Sequence, residues 1–588
     1  MADFHIKDKS DITEIVKSML EKTIKGSVKI IFPKGTYYFS PEKSFSKFQY
    51  ITNHDSGDKK IAFYLSNLKN VEIDGQGSEF IFRGRMLPFL IENCENVNLK
   101  NFSIDWDIPF FVQGEVMATN SAQGWYDLSM DKEGYSYKVV DGHLKFPVNT
   151  DFNFLAVGES LVFDKISKSP IYNADAYDIH RKKNVKVEQL QNGNIRFLEK
   201  LKEYPPVNSI MTFKGEMGEN RYAPAFHCLK SKSVQLYNIN VYHALGMGFL
   251  GEKSEDILLR KFNVSLRKGS NRYISSTADA THFCNCKGNV EMDSCLFENM
   301  LDDGTNVHGT YIKVDSVISK TTVRASLQHF QQAGFIFGEK GDKVWFLIAP
   351  NPSRSNENTI VSFKSIDKFQ SEITFRLPLT SDFKKGDLIE NKTWNTSNFT
   401  LHNSIIRNNR ARNIVLKAPG KIFIENNYFQ SMMASILIRA EASLWYESGA
   451  VENVLIRNNK FENCVLGGSK QAVLLISPKL NNKFDNSILV DKNIVFENNT
   501  INTFNPLIVD AMRVNNLTIR NNEIIQNSDF LPFNSGAALL NIENCKMVLL
   551  DGNKYIGNND RLLKIDLLSK PTSVINGENG FKSKIIKR

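Results

Sequence analysis

The segments Val234-Gln-Leu-Tyr-Asn238 and Ile257-Leu-Leu-Arg-Lys261 are two copies of one short phrase, in which alternating apolar residues run into a turn residue. Their last residues are 261 − 238 = 23 positions apart. The phrase occurs eleven times, over Val71–Gly75, Val97–Asn101, Val234–Asn238, Ile257–Lys261, Val290–Ser294, Phe399–Asn403, Ile422–Asn426, Val454–Asn458, Ile494–Asn498, Leu517–Asn521 and Val548–Gly552. Successive copies lie 26, 137, 23, 33, 109, 23, 32, 40, 23 and 31 residues apart, so the interval of 23 recurs three times. A short strand and turn repeated at this interval predicts an all-β solenoid, a parallel β-helix.

Asparagine pairs end four of these copies, at positions 426–427, 458–459, 498–499 and 521–522. Equivalent amides that stack in register can hydrogen-bond to one another along the axis as a ladder. Alternatively, the pairs reflect turn chemistry alone, because asparagine tolerates the left-handed conformation of tight turns. Both interpretations are compatible with the solenoid.

The two widest intervals predict insertions of 137 − 23 = 114 and 109 − 23 = 86 residues. Both contain short alternating runs, such as Glu159-Ser-Leu-Val-Phe163 and Val344-Trp-Phe-Leu-Ile348, between turn residues, as small antiparallel barrels do. The sequence thus predicts an N-terminal cap with the first coils over 1–111, a barrel-like domain over 112–215, central coils with the active site over 216–310, a second barrel-like domain over 311–395, and C-terminal coils with a tail over 396–588. The second insertion follows His308-Gly309 directly, so its barrel should stand beside the residues there.

The N-terminal segment predicts one helix. Ile12, Ile15, Val16 and Leu20 form an apolar stripe at helical spacing, and we expect this helix to cap the open end of the solenoid. Residues 1–4 lack the apolar stretch of a cleavable signal peptide, and no apolar run approaches the roughly 20 residues of a membrane span.

Composition excludes several classes of protein. The chain has 588 residues, 41% of them hydrophobic and 23% charged, which indicates a folded protein with a large core. Its net charge of +9 is scattered over the strands rather than clustered, so we expect no nucleic-acid partner. The odd number of cysteines argues against a disulfide framework, and Cys284 and Cys286 lack the partners of a zinc set. We therefore expect no metal and no cofactor.

Three aspartates carry the predicted chemistry. Asp302-Asp303-Gly304-Thr305-Asn306 is a variant of Asp279-Ala-Thr-His282, and Asp303 follows Asp279 by 303 − 279 = 24 residues, about one coil. Neighbouring coils lie about 4.8 Å apart, so the three carboxylates should share one patch. Clustered carboxylates do not all ionise together, so one should stay protonated near neutral pH. An acid and a base roughly 6.5–9.5 Å apart would suit an inverting glycosidase, whereas an Asp-Gly pair by itself indicates only a turn.

Several separated motifs resemble one family. Ile31–Tyr38 is similar to the opening of many pectate-lyase-like β-helix proteins, and the segments Asp105–Gly114, His243–Gly248, Asp279–His282 and Asp302–Gly309 together resemble glycoside hydrolase family 110, the bacterial α-1,3-galactosidases. The resemblance covers about residues 30 to 560. It implies a right-handed parallel β-helix with an N-terminal capping helix and two inserted antiparallel β-barrel-like domains. It also implies an inverting exo-hydrolase, secreted, periplasmic or on the bacterial cell surface, that removes a terminal α-1,3-linked galactose, as in the blood group B antigen.

The resemblance gives the aspartates their roles: Asp279 is similar to the general acid, and Asp302 with Asp303 to the pair that holds the water. We expect further substrate contacts from eight residues: Asp105, Trp106, His243, Glu252, Arg272, His282, Asn306 and His308. Trp106 is either a sugar platform or a core residue, and the His243–Gly248 segment is either a ligand approach or a bend. His308 either binds sugar hydroxyls or anchors the inserted barrel, while His282 is a candidate for orienting a carboxylate. Glu252 and Arg272 are either substrate contacts or surface ion pairs.

Two other functions remain open at this point. A polygalacturonase-like hydrolase would also use three aspartates on adjacent coils, but its usual Gly-His-Gly and Arg-Ile-Lys tripeptides are absent from this sequence. A carbohydrate-binding solenoid would keep a groove without needing the acids. The partner in all three cases is a glycan, and the number of chains that assemble, including a homo-oligomer, is left open.

Overall fold

The computed structural model describes residues 8–23, 26–147, 153–154, 156–177, 185–216, 218–355, 357–395, 398–557, 563–567, 574–577 and 579–580. Parallel strands coil into a β-helix with three sheets, here called sheets 1, 2 and 3. The apolar residues that point inward from all three sheets form one continuous core, which runs from Ile12 to Leu563. The prediction of an all-β parallel β-helix is confirmed.

Sheet 1 contains the repeated phrase, and all eleven copies stack in register. Val97 pairs with Val71 and Val234, Val290 with Phe399, and Leu517 with Val548. Its strands are Val28–Ile31, Lys69–Phe82, Glu95–Trp106, Lys232–Val241, Glu255–Val264, Lys287–Asp293, Asn398–His402, Lys421–Glu425, Asn453–Arg457, Asp491–Glu497, Val514–Arg520, the second half of Leu540–Asp551, and Val574–Asn576. The coil interval read from the sequence is therefore the stacking interval of the fold.

Sheets 2 and 3 complete each coil. Four sheet 1 strands (Lys69–Phe82, Glu95–Trp106, Lys232–Val241 and Glu255–Val264) continue into sheet 2, whose other strands are Ser10–Asp11, Thr36–Phe39, Leu296–Glu298, Ile405–Asn409, Tyr428–Ser431, Lys460–Glu462, Thr500–Thr503, Glu523–Gln526 and Lys554–Ile556. Sheet 3 contains Phe45–Gln49, Gly57–Ser66, Leu87–Glu92, Phe226–Leu229, Phe249–Glu252, Thr281–Cys284, the first part of Thr305–Val317, Ile414–Lys417, Ile436–Ile438, Leu474–Ile476, Val509–Met512, the first part of Leu540–Asp551, and Lys564–Leu567. Sheet 3 carries the residues of the candidate site.

Both interpretations of the asparagine pairs hold, one for each member of a pair. The first member lies in the left-handed region, with φ between 53° and 60° at Asn426, Asn458, Asn498 and Asn521. The second member is buried, and its side-chain amide donates to the next one at 3.0 Å from Asn427 to Asn459, from Asn459 to Asn499 and from Asn499 to Asn522. Asn553 and Asn579 extend this ladder. An amide can do this because it both donates and accepts.

The predicted N-terminal helix spans Thr13–Lys22, and its residues Val16 and Leu20 join the core of the solenoid. That it caps the open end stays a prediction. Short 3₁₀ helices lie at Pro41–Lys43, Ala174–Tyr177 and Phe330–Gln332. Among the described residues, no helix has the length and apolar character that a membrane crossing requires. Residues 1–4 lie outside the described ranges.

The first insertion forms a six-stranded antiparallel sheet. Its strands, in spatial order, are Ser160–Phe163, Ile210–Phe213, Val112–Asn120, Trp125–Met130, Ile195–Leu198 and Lys186–Gln189, and a separate hairpin joins Lys138–Val140 to His143–Lys145. The chain leaves the solenoid after Trp106 and returns to it at Phe226. We call the structure formed by the described residues between 112 and 213 domain I.

The second insertion is a closed antiparallel barrel, here called domain II. Its ring of strands is Thr305–Val317, Thr322–Ser326, Gln370–Phe375, Asn358–Ser365, Lys343–Leu347 and Leu388–Asn391, which pairs again with the first. The strand Thr305–Val317 belongs to both bodies, since Thr305–His308 stack in sheet 3 and Tyr311–Val317 enter the barrel. Domain II therefore continues directly from the coil that carries Asp302 and Asp303.

Candidate active site

The three predicted aspartates meet on the outer face of sheet 3. His282 pairs with Asn306 across neighbouring strands, so Asp279 and Asp303 occupy equivalent positions on two coils, and the main-chain nitrogen of Ala280 donates to the Asp303 carbonyl at 3.0 Å. One carboxylate oxygen from each of Asp279, Asp302 and Asp303 lies within 4.8 Å of the others. The closest oxygens are thus nearer than the roughly 6.5–9.5 Å expected for the two carboxyl groups of an inverting pair.

These acids line a cavity of about 250 Å³ that is open on one side to the surface. Its walls come from the central coils, domain I, the following coils and a loop at 441–447. The lining residues are Asn53, Glu159, Arg221, Asp279, His282, Asp302, Asp303, Asn306, Arg410, Arg412, Lys417, Leu437, Arg439, Glu441, Trp445 and Glu447. Five of them are cationic and six are acidic, so the charges in the cavity nearly balance.

Arginines hold two of the aspartates. Arg221 is ion-paired with Asp302, and Arg410 lies 3.7 Å from the same carboxylate. Arg412 contacts Asp303 twice, through its main-chain nitrogen at 2.9 Å and its side-chain Nε at 3.1 Å. Asp279 has no such cation within ion-pair distance among the described residues.

The three carboxyls are consequently in different protonation states. Burial raises the pKa of Asp279 to about 8, and the nearby charge of Asp302 adds to this effect. Burial also raises the pKa of Asp303, to about 7, although Arg412 opposes the shift. Burial acts on Asp302 in the same direction, but the charges of Arg221 and Arg410 outweigh it and hold the pKa of Asp302 below its ordinary value. At neutral pH, Asp279 keeps its proton and Asp302 is ionised.

Two histidines lie behind Asp279. His282 Nδ1 is 2.7 Å from Asp279 Oδ2, and His282 Nε2 is 2.6 Å from His308 Nε2. His308 Nδ1 donates to the main-chain carbonyl of Gly309 at 2.6 Å. Both rings are completely buried, and burial lowers the pKa of His282 to about 4 and that of His308 to about 3. Both imidazoles are therefore neutral at physiological pH.

Glu447, an acidic residue apart from the three aspartates, lies next to the two histidines. The strand Glu447–Ser448 pairs antiparallel with Gly309–Thr310, which places Glu447 Oε1 3.6 Å from His308 Nε2. Lys417 is ion-paired with the same carboxylate, and the Asn53 amide donates to it at 3.2 Å. Burial opposes ionisation of Glu447, but its ion pair with Lys417 outweighs this effect and holds the pKa of Glu447 well below the usual range.

The 441–447 loop presents an aromatic side chain, Trp445, to the cavity. The Glu441 carboxylate accepts main-chain N–H groups from Leu444 and Trp445, both at 2.7 Å, and so fixes the loop. Domain II supports it from the other side: the His329 ring lies 3.9 Å from the Trp445 ring, and the Gln332 amide donates to the Trp445 carbonyl at 2.7 Å. Domain II thus buttresses one wall of the cavity.

Domain I supplies another wall. Glu159 reaches the cavity from the edge of this domain, and its carboxylate lies 2.5 Å from Lys214 Nζ. Lys214 in turn donates to the Thr277 carbonyl at 3.0 Å, which ties domain I to the coil of Asp279. Both insertions therefore shape the site, although neither carries one of the three aspartates.

Besides His308, five predicted substrate-binding residues do not line the cavity. Trp106 is buried against Phe82 and Phe110, and its Nε1 donates to the Gly84 carbonyl, so its indole cannot serve as a sugar platform. Of the two interpretations of Trp106, a sugar platform or a core residue, the structure supports the core residue. His243 is also buried, and its Nε2 accepts from Phe110.

The other three have protein partners. Asp105 is ion-paired with Arg267 at 2.9 Å and with Arg272 at 2.5 Å. Glu252 accepts from the Thr52 hydroxyl at 2.9 Å. Of the eight predicted residues, only His282 and Asn306 line the cavity, and His308 contacts it through His282.

Within the part of the chain that the structure describes, two groups of side chains have the spacing of metal ligands. They are His282 with His308 and Glu447, and the three aspartates, in each case with ligand atoms within 4.8 Å. Protein cations already neutralise both groups, through Lys417 on Glu447 and the arginines on Asp302 and Asp303. We therefore interpret both as hydrogen-bonded networks.

Sequence reasoning missed the cations and Glu447. A signal existed for two of them, because the coil after the second insertion is offset by 109 residues: 303 + 109 = 412 and 308 + 109 = 417 give Arg412 and Lys417. Arg221 lies in an irregular segment and Glu447 in a strand that runs against the coil direction, so the repeat predicts neither.

Comparison with family models supports this architecture. The GLAA-B beta-barrel domain I matches residues 112–211, the GLAA-B beta-barrel domain II matches residues 322–389, and a right-handed beta helix region matches residues 392–576.

The proteins that are similar over most of the chain include the following bacterial relatives. Alpha-1,3-galactosidase A of Shewanella woodyi is 34% identical, over 91% of this chain and 87% of its own length. Alpha-1,3-galactosidase B of Bacteroides thetaiotaomicron is 29% identical over 99% and 94%. Alpha-1,3-galactosidase B of Bacteroides fragilis is 33% identical over 85% and 86%.

Proposed function

Because this chain belongs to the family of bacterial α-1,3-galactosidases, glycoside hydrolase family 110, we propose that it is an exo-acting hydrolase that releases terminal α-1,3-linked galactose with inversion. The observation that carries the proposal is a cluster of three buried carboxyls in one cavity, in which Arg221 pairs with Asp302 and Arg412 with Asp303. Burial raises the pKa of Asp279 to about 8, whereas the arginines hold that of Asp302 below its ordinary value. A glycosidase needs one group that donates a proton and one carboxylate that is ionised at the same site.

The roles follow from the charges. Asp279 is the general acid, because burial keeps a proton on it that can pass to the leaving oxygen. Asp302 and Asp303 hold the water, and the ionised Asp302 takes its proton as the water attacks the anomeric carbon. Arg221 holds the Asp302 carboxylate and Arg412 holds that of Asp303. Carboxylates held in this way are suited to positioning a water, as in an inverting enzyme. They are less suited to act as the nucleophile of a retaining enzyme, which must bond to the sugar. The arginine contacts therefore support inversion. The distance between the closest carboxylate oxygens, within 4.8 Å, does not, because it is shorter than an inverting pair is expected to have.

The cavity fits a single neutral sugar. Its volume of about 250 Å³ is below the range of roughly 300–1,000 Å³ that accommodates drug-sized ligands, so it holds one residue at a chain end. With Asp279 protonated, five acidic groups face five cations. An anionic sugar such as a galacturonate would meet no excess of positive charge, and this favours galactose over the substrate of a polygalacturonase-like enzyme.

The decisive experiment is incubation with the disaccharide galactosyl-α-1,3-galactose, with the α-1,4- and α-1,6-linked isomers as controls. We expect free galactose from the α-1,3 isomer alone. Proton NMR at early times should show β-galactose first, since inversion at an α-linked centre gives the β anomer. Early α-galactose would mean retention. No release, together with retained binding of the disaccharide, would identify a carbohydrate-binding solenoid instead.

We further propose, from the family resemblance, that the substrate is the blood group B structure. Comparison of the branched, fucosylated trisaccharide with the linear disaccharide tests it. Higher kcat/KM on the branched compound supports the assignment, and activity on the linear compound alone contradicts it. We propose a periplasmic or extracellular location on the same ground.

A further inference from the structure

Two buried histidine rings connect Asp279 to a main-chain carbonyl. The contacts are 2.7 Å from Asp279 Oδ2 to His282 Nδ1, 2.6 Å between the Nε2 atoms of His282 and His308, and 2.6 Å from His308 Nδ1 to Gly309 O. The two ring planes are 85° apart, so the rings meet at their nitrogen-bearing edges rather than stacking. The chain ends at the Gly309 carbonyl, which can only accept a hydrogen bond.

That fixed end determines the position of each proton. His308 must carry hydrogen on Nδ1 to donate to the carbonyl, so the Nε2 of a neutral His308 is an acceptor. His282 must then donate from its own Nε2, which leaves its Nδ1 without hydrogen. The contact between that nitrogen and Asp279 is a hydrogen bond only if the carboxyl oxygen carries the proton.

Counting protons shows how many hydrogens this series of contacts requires. All three contacts are hydrogen bonds only when the chain holds one proton more than two neutral imidazoles and a carboxylate supply. Without that proton, two lone pairs face each other at one of the three contacts, at 2.7 Å or less. Because burial keeps both rings neutral, the additional proton belongs to the carboxyl, and the ionised form of Asp279 is disfavoured by the tautomers of its neighbours as well as by burial.

We propose that His282 and His308 are positioning residues that keep the acid proton on Asp279 before each turnover. The inference rests on the proposed function, because it gives this proton to the general acid of a glycosidase. His308 acts through His282, and neither ring needs to touch the sugar. The Gly309 carbonyl determines which atom of each hydrogen-bonded pair, from His308 to Asp279, is the donor.

The proton balance of one turnover is as follows. The Asp279 O–H bond breaks and its proton joins the leaving oxygen, which also takes the electron pair of the cleaved bond to the anomeric carbon. The water oxygen bonds to that carbon, and its proton goes to the Asp302–Asp303 pair. Asp279 is then a carboxylate that faces the lone pair of His282 Nδ1, and this repulsion favours the return of a proton from solvent. A proton leaves the pair to solvent, which restores the resting state.

The charged groups around the chain agree with a proton on the carboxyl. Asp279 is faced by Asp302, Arg221, Arg412 and Glu447, and the two rings by Glu447, Lys417, Arg221 and Asp302. Lys417 neutralises Glu447, the carboxylate nearest to His308. The pKa of about 8 for Asp279 lies above those of about 4 and about 3 for His282 and His308, so the shared proton stays on the carboxyl.

Two variants of His308 separate this role from simple packing. His308→Leu removes the acceptor, so His282 is free to carry its hydrogen on Nδ1 and donate to an ionised Asp279. His308→Gln keeps an acceptor, because its amide N–H₂ can donate to Glu447, 3.6 Å from His308 Nε2 in the parent, while its carbonyl faces His282. The variants thus differ in the tautomer that they impose on His282.

The readout is the pH dependence of kcat/KM on the α-1,3-linked disaccharide. Activity requires protonated Asp279, so it declines at alkaline pH with a midpoint near the pKa of about 8. We expect this midpoint to fall by about one pH unit or more in His308→Leu, since an N–H donated to a carboxylate favours its ionised form. We expect it to stay near the parent value in His308→Gln. Equal midpoints in His308→Leu and the parent protein would overturn the inference.

A measurement that needs no activity separates failure of the inference from failure of the proposed function. Nitrogen NMR of the full chain with labelled histidine, assigned by His282→Asn and His308→Gln, reports which ring nitrogen carries hydrogen. Hydrogen on Nε2 of His282 and on Nδ1 of His308 supports the inference even if no galactoside is cleaved. Hydrogen on Nδ1 of His282, or one tightly bound transition metal per chain by elemental analysis, would overturn it even in an active galactosidase.

Discussion

Two regions of the solenoid stack identical side chains, with opposite consequences. Between positions 427 and 553, five buried asparagines follow one another along the axis, and each amide donates to the next. Between positions 279 and 303, aspartates occupy equivalent positions on adjacent coils. The backbone spacing is the same, but a carboxylate only accepts hydrogen bonds, so the acids cannot satisfy one another.

The difference shows how a regular scaffold builds a reactive site. Like-on-like stacking needs no other partner in the asparagine ladder, whereas the acid stack needs a proton on Asp279 and arginines beside Asp302 and Asp303. Those cations come from the following coil and from the segment after domain I. The asparagine and aspartate side chains differ only in an amide nitrogen in place of a carboxylate oxygen. This difference separates coils that stabilise the fold from coils that carry reactive groups.

Conversion of the acids into amides should have the largest effect. We expect Asp279→Asn, Asp302→Asn and Asp303→Asn each to lower kcat on the α-1,3-linked disaccharide by about 10²–10⁴-fold, the typical contribution of acid–base groups. Leaving-group dependence separates the roles, because an activated aryl α-galactoside needs little acid assistance and should partly restore Asp279→Asn alone. Parent rates in all three variants would refute the site.

The same substitutions should differ in their effect on stability. Asp279→Asn replaces a protonated carboxyl by an amide that can still donate to His282, so little should change. Asp302→Asn leaves the buried Arg221 without its charged partner, and breaking such a pair costs about 3–5 kcal/mol. Urea unfolding of both variants tests this contrast, and equal losses would contradict it.

The repeat allowed much of this arrangement to be predicted. The strand register, the three acids and the two insertion sites all follow from the positions of short phrases, because one coil determines the neighbours of the next. Arg412 and Lys417 were accessible by the same rule. Glu447 and Trp445 were not, since their loop crosses the repeat and is fixed by Glu441 and domain II.

Trp106 shows where alternation could have been applied further. It is two residues beyond Ile104 on one strand, and alternate residues point to the same face, so an inward Ile104 places Trp106 in the core. Asp105 then faces outward, where it meets Arg267 and Arg272. A motif shared with a family does not distinguish these two faces.

The stability of the acid stack should depend on pH in a way that the asparagine ladder does not. The pKa of Asp279 rises from 3.8 to about 8 on folding, so between these values the native state holds a proton that the unfolded chain has lost. Stability therefore falls as pH rises, by about 1.4 kcal/mol per pH unit for one such group. Asp279→Asn has no such group, so its unfolding free energy should not show this decline. The unfolding free energy of the variant minus that of the parent protein should therefore increase from pH 5 to pH 7. A constant difference across this range would show that Asp279 is ionised in the native state.

The smallest effects should come from the asparagine pair at 498–499, whose members have different tasks. Asn499→Ala removes the acceptor of two donors on Asn459, and unsatisfied buried groups cost about 1–3 kcal/mol. Asn498 has φ 54°, a conformation that glycine adopts freely, so Asn498→Gly should change stability by less than about 1 kcal/mol. Thermal and urea unfolding of the two variants compares a broken ladder with a tolerated turn. If Asn498→Gly proved the more damaging, the turn rather than the ladder would stabilise these coils, and the contrast with the stacked acids would lose its basis.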